Sequence, residues 1–109
     1  MKPEKRETHT PRFYDMKRVR SDGTVQDYPS ANLIYTLEEL QAAVSGYIEL
    51  VTLSTGYWMV VNENGRLFNL PHNALASELA MRHNPYPSES TGRDDIRGDV
   101  LVCHAKRLR

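Results

Sequence analysis

With 109 residues, 39% hydrophobic and 26% charged, the chain has room for one core, and a chain of this size buries roughly 60 to 70% of its extended surface on folding. The lone cysteine, Cys103, excludes an intrachain disulfide, and no stretch reaches the ~20 apolar residues of a membrane helix. Met1-Lys2-Pro3-Glu4-Lys5-Arg6 leads into polar residues rather than the apolar run of a signal peptide, so the expected residence is the cytoplasm.

Net charge is zero but unevenly spread. Residues 1–20 hold seven lysines and arginines against three acids, residues 21–99 hold four arginines against eleven acids, and the last ten add Lys106, Arg107 and Arg109. The body is therefore acidic and both ends are basic. Residues 1–11, with two prolines and no apolar periodicity, read as a flexible basic lead, and residues 12–109 as one domain.

In chain order, residues 13–20 and 25–28 read as two strands joined through Ser21-Asp22-Gly23-Thr24, since Asp-Gly between strand-like runs is a hairpin signal. Thr36 with Glu39 three positions on forms a capping box for a helix over 37–44, with Leu37, Leu40 and Val44 on one face and Gly46 as its left-handed terminator. Residues 47–53 and 57–61 are β-branched and aromatic and should pair antiparallel. Asn64-Gly65 then predicts a type I′ turn that returns residues 66–70 as the third strand of a meander. Pro71 ends that strand, and Asn73 caps a second helix over 74–82 with Leu75 and Leu79 toward the sheet. Residues 83–95 read as a long exposed loop, and 96–105 as a closing strand buried on both faces. The expected fold class is α+β: a mostly antiparallel sheet of hairpin, meander and C-terminal strand, packed with two helices.

Chemistry-bearing patterns are sparse. His9, His72, His83 and His104 share no ligand spacing, so no metal site is expected. Cys103 sits in the apolar run Val100-Leu101-Val102-Cys103 and reads as core, and the scattered glycines form no phosphate-cradling loop. No catalytic constellation and no cofactor are expected, and Arg97-Gly98-Asp99 is explained by a turn into the last strand. The polar residues least accounted for by turns and caps lie in and around Val60 to Asn73. They suggest a ligand site of Glu49, Asn62, Glu63, Asn69 and Asn73 with Tyr57 or Trp58 as a stacking surface. Against it stands the plainer reading that Asn62 to Gly65 turn the chain and Asn73 caps a helix.

At Gly46-Tyr47-Ile48-Glu49, Asn62-Glu63-Asn64-Gly65-Arg66-Leu67, Leu70-Pro71-His72-Asn73 and Gly98-Asp99-Val100-Leu101-Val102, the chain resembles domain-of-unknown-function family 3846 of small phage and mobile-element proteins. The resemblance spans roughly residues 33 to 103. It implies one compact α+β domain in which "V-G-G-Y-I-E" leads from helix to strand, "N-E-x-G" makes a turn and "L-P-x-N" leads into a helix. Ser45 here stands where a first glycine is usual, and the 83–95 segment is longer than the pattern implies.

The family implies a genomic setting rather than an activity, and three readings follow. The first is a non-enzymatic accessory protein in the cytoplasm of a bacterial host, binding a host protein through its acidic surface or its 83–95 loop and able to self-associate through a strand edge. The second is a binder of a nucleotide-like small molecule at the residues named above. The third is a nucleic-acid binder through Lys17, Arg18, Arg20, Lys106, Arg107 and Arg109, whose affinity would fall steeply with salt.

Overall fold

The computed structural model describes residues 10–54, 56–85 and 93–108. Most of the predicted lead, the middle of the predicted 83–95 loop and Arg109 lie outside the described residues. Five strands, β1 (Lys17–Val19), β2 (Val25–Asp27), β3 (Ile48–Thr52), β4 (Tyr57–Asn62) and β5 (Val100–His104), form one antiparallel sheet in the order β2-β1-β5-β4-β3. Two helices, α1 (Leu37–Val44) and α2 (Ala74–Arg82), complete the α+β domain.

The alternation of side chains along the central strands separates two cores. Val60, Leu101 and Cys103 pack with Leu40, Ala43 and Val44 of α1. Met59, Val61, Val100 and Val102 pack with Ala76, Leu79 and Ala80 of α2 on the other face. The helices therefore cover opposite faces, and β5 is buried on both, as its continuous apolar run predicts. Each fully buried valine or leucine contributes about 1.5–3 kcal/mol of transfer free energy, so these layers are the main favourable term.

Both helices occupy their predicted residues, because their signals are local. Thr36 accepts a hydrogen bond from the Glu39 backbone N–H (3.1 Å), and the Glu39 carboxylate accepts one from the Thr36 N–H (2.8 Å). The C-terminus differs from expectation: Ser45, not Gly46, takes the left-handed conformation, at φ 62° and ψ 41°. The hairpin at 20–24 forms, tied by Arg20 N–H to Thr24 C=O (2.8 Å) and by Asp22, which accepts from the Thr24 N–H and hydroxyl. It joins the main sheet, since β1 pairs with β5. The first strand is shorter than predicted, because residues 12–14 form a 3₁₀ turn and Met16 adopts φ 55°.

The meander is the main correction. Residues 66–70 do not return as a strand; residues 63–69 coil through turns closed by Phe68 N–H to Asn64 C=O (2.9 Å) and Leu70 N–H to Gly65 C=O (2.9 Å). The reason is topological. The free side of β4 is taken by β5, whose residues 101–104 pair with residues 57–60 of β4, so no third meander strand has a place to bond. Gly65 keeps a negative φ and is needed for space instead: a Cβ there would stand 3.1 Å from the Arg97 carbonyl oxygen. The described ends of the predicted exposed loop are not uniformly exposed either, since His83, the C-cap of α2, and Asn84 are buried.

Candidate binding site

Register decides where each polar residue faces. Glu49 stands opposite Val61, and Val51 opposite Met59, so Glu49 and Val51 lie on the α2 face of the sheet. The coil after β4 and the segment 93–97 rise over the same face. Together they enclose a cavity of about 170 Å³ whose charged lining is Glu49, Glu63, Arg66, Arg93, Asp95 and Arg97 over a floor of Val51, Val61 and Ile96.

Asp95 organises one wall. Its carboxylate accepts from Arg97 Nε at 3.0 and 3.2 Å, lies 3.1 Å from His72 Nδ1, and stands 3.6 Å from Arg66 Nε. The His72 and Arg97 hydrogen bonds hold its carboxyl below the ordinary carboxylate range. Arg97 Nη1 also donates to Asn69 Oδ1 (2.9 Å), and Asn69 itself sits at φ 54° in the coil. Arg93 is held from the opposite side: its Nη1 donates to the carbonyls of Thr52 (2.7 Å) and Ala80 (3.4 Å), and burial lowers its pKa.

The sequence-predicted set is only partly brought together. Glu49, Asn62 and Glu63 line this cavity, and Asn69 lies one arginine away. Asn62 is buried and structurally committed: its Nδ2 donates to Val44 C=O (3.0 Å) at the end of α1, and its Oδ1 accepts from the Asn64 N–H (2.8 Å). Asn73 is fully buried; its Oδ1 caps α2 at Ala76 N–H (3.0 Å), while Nδ2 donates to Val19 C=O (3.0 Å) and Gly98 C=O (2.9 Å). Trp58, adjacent to Tyr57 on a strand, points to the α1 face. Tyr57 lies at the far end of the sheet, edge-on to His104 (5.2 Å), in a groove of about 630 Å³ with Arg12, Asp15 and Lys106. Among the described residues, no aromatic side chain lines the cavity. Sequence reasoning missed Arg66, from a coil read as a strand, Arg93 and Asp95, from the end of a segment read as an exposed loop, and Arg97, from residues read as the start of the closing strand, which begins only at Val100.

The basic residues proposed for nucleic acid are mostly spent on carboxylates. Lys17 pairs with Asp27; Arg18 and Arg20 with Asp99 (3.1 and 3.5 Å); Arg107 with Asp15 (2.9 Å). Lys106 is exposed, and Arg109 lies outside the described residues. Asp99, held also by the Ser21 N–H (2.9 Å), gives the Arg97-Gly98-Asp99 tripeptide a structural task. Burial pushes the Cys103 thiol up to about 12, which leaves it protonated at neutral pH.

A third surface surrounds the β3 edge of the sheet. Glu63 N–H donates to Tyr47 C=O and Leu53 N–H to Tyr57 C=O, so 47, 49, 51 and 53 bond to β4 and the peptide groups of Ile48, Leu50 and Thr52 face outward. Arg93 occupies the Thr52 carbonyl, and among the described residues nothing bonds the outward groups of Ile48 and Leu50. Beside this edge Tyr47 is 67% exposed, Phe68 63% and Leu50 44%, and Tyr47 and Phe68 flank a further cavity of about 260 Å³ with Gln41, Gly46, Asn62 and Asn64.

Fold and surface thus define a small antiparallel α+β domain whose β3 edge is rimmed by aromatic residues, with a mixed-charge cavity beside it. The family model described as Domain of unknown function (DUF3846) matches residues 16–107, and the chain belongs to that family. No curated protein and no solved structure matches it.

Proposed function

We propose that the protein acts by stoichiometric, non-enzymatic binding of a protein partner, which adds an extended segment to the open edge of β3. The observation that carries this reading is that, among the described residues, the outward backbone groups of Ile48 and Leu50 on the edge strand β3 have no partner. Among the described residues of β3 there is no lysine, proline or bulge, and the flanking Tyr47, Leu50 and Phe68 present apolar surface. Open edges of this kind are templates for strand addition, with main-chain hydrogen bonds supplying affinity and flanking pockets supplying specificity. In the phage or mobile-element setting that the family resemblance implies, the partner is a protein of the bacterial host and the encounter takes place in its cytoplasm.

Leu50→Lys places a charge on the edge while leaving the helix-covered cores untouched, and Tyr47→Ser with Phe68→Ser removes the aromatic rim. Tagged wild-type and variant proteins, each checked for an unchanged circular dichroism spectrum, are used to capture partners from host lysate at low salt. The expected result is a partner retained near one-to-one by wild type and lost by both variants. Retention by Leu50→Lys equal to wild type, or no captured partner, would refute the reading.

A further inference from the structure

Arg93 stands apart from the other shielded arginines. Among the described residues, Arg18, Arg20, Arg97 and Arg107 are likewise partly withdrawn from water, and each holds a carboxylate. Arg93 has only the neutral carbonyls of Thr52 and Ala80, both reached by Nη1, so the rest of its five-donor fork has no acceptor among the described residues. Its remaining N–H groups are not among the buried unpartnered atoms, so they open onto the water of the cavity, where an anion would supply the counter-charge that the other shielded arginines have. Across the same cavity, Glu49 and Glu63 take part in no ion pair among the described residues.

The cavity's three arginines and three carboxylates balance, so a simple anion meets Glu49 and Glu63, and a simple cation meets Arg93. Only a ligand carrying both charges is favoured at both ends. Glu49 and Thr52, whose carbonyl Arg93 holds, are three residues apart along β3, about 10 Å. Arg93 Nη1 is fixed at the Thr52 carbonyl and no ion pair joins it to Glu49, so the two charges are held apart, which suits charges separated by several carbons rather than the adjacent charges of glycine. A cavity of about 170 Å³ is well below the roughly 300–1,000 Å³ typical of pockets for larger ligands, which argues against a nucleotide.

We propose that this cavity binds a small zwitterion of the lysine or ω-amino-acid class, its carboxylate on Arg93 and its distal ammonium group on Glu49 and Glu63, with the methylenes over Val51, Val61 and Ile96. The proposal does not depend on the strand-addition reading: it needs the α2 face of β3 and Arg93 at the Thr52 carbonyl, not the outward groups of Ile48 and Leu50.

The test is a two-dimensional amide NMR titration of the whole chain with 6-aminohexanoate and L-lysine, using hexanoate and hexylamine as single-charge controls. Saturable shifts are expected at residues 49–53, 61–65 and 93–97, with each control binding about tenfold or more weakly. Glu49→Gln, an exposed site whose loss leaves folding intact, and Arg93→Gln should each weaken 6-aminohexanoate by about tenfold or more, with Arg93→Lys recovering part of the loss. Dispersion of the amide spectrum verifies that each variant is folded. The proposal is overturned by no saturable shift up to about 10 mM, by hexanoate or hexylamine binding as tightly as 6-aminohexanoate, or by undiminished binding to Glu49→Gln.

Discussion

The left-handed residue that ends α1 is a serine, and this makes Ser45→Gly a stabilising substitution. A non-glycine residue in that conformation costs about 1–2 kcal/mol, because its Cβ crowds the following carbonyl. Glycine removes the clash but gives the unfolded chain more freedom, which returns about 0.4–1 kcal/mol. Little else is lost: Ser45 is exposed, and the carbonyl that accepts weakly from Asn62 Nδ2 (3.4 Å) belongs to the backbone and survives. The net gain is about 0.5–1 kcal/mol, or roughly 2–8 °C in Tm for a domain near this size. Gly46→Ala is the control with opposite sign. A Cβ at Gly46 would stand 2.7 Å from Asn62 Nδ2, driving the amide off the Val44 carbonyl it holds at 3.0 Å. Orphaning that carbonyl costs about 1–3 kcal/mol. Urea unfolding followed by circular dichroism measures both, the midpoint moving at constant slope. A midpoint for Ser45→Gly at or below wild type would refute the strain argument.

Two further perturbations separate structural roles that look alike in sequence. Asn73→Ala should cost about 3 kcal/mol, combining a lost helix cap with two unsatisfied buried carbonyls, and Asn73→Asp should be no milder, because it keeps the cap oxygen but aims a buried charge at those carbonyls. Asp caps helices as well as Asn does, so an Asn73→Asp melting temperature equal to wild type would mean that capping is its whole role. Asp15 is the pH-sensitive tie: burial raises its pKa, but the Arg107 side chain and the His104 N–H (2.9 Å) outweigh it and hold the folded value below the ordinary 3.8. Its contribution is therefore present above about pH 4 and lost as pH falls through the lowered value. Asp15→Asn should destabilise by about 1 kcal/mol at pH 7, solvent screening limiting the loss, and the gap from wild type should close below pH 4 in thermal melts.

What the sequence made legible was what neighbours along the chain decide. The capping box at Thr36 and Glu39, the cap at Asn73 and the two-faced burial of β5 rest on spacings of a few residues, and all appear as read. The third meander strand failed because β5, about forty residues downstream, competes for the same side of β4, and a local Asn-Gly signal carries no information about that rival. The helix terminator was misplaced by one residue, because glycine at 46 is required for the close approach of Asn62 and not for its φ. At the candidate site, Glu49 and Glu63 could be singled out because no turn or cap requires them. Tyr57 and Trp58 could not share a site, since neighbouring strand residues face opposite ways. Arg93 left no sequence signal: its partners, Thr52 and Ala80, offer only main-chain carbonyls, which any residue supplies.

The position of β5 between β1 and β4 also governs how the molecule is assembled in time. The central strand is the last of the five in the chain, so the contacts that unite the sheet span separations as large as that between Lys17 and Val102. A high contact order of this kind slows folding. During synthesis, the β1–β2 hairpin and the α1–β3–β4 unit can form as each leaves the ribosome, but they remain two fragments with open edges until residues 100–104 arrive. Only then does one strand zip both halves together, and until it does the apolar flanks of Met59, Val60 and Val19 are the surfaces most in need of a chaperone.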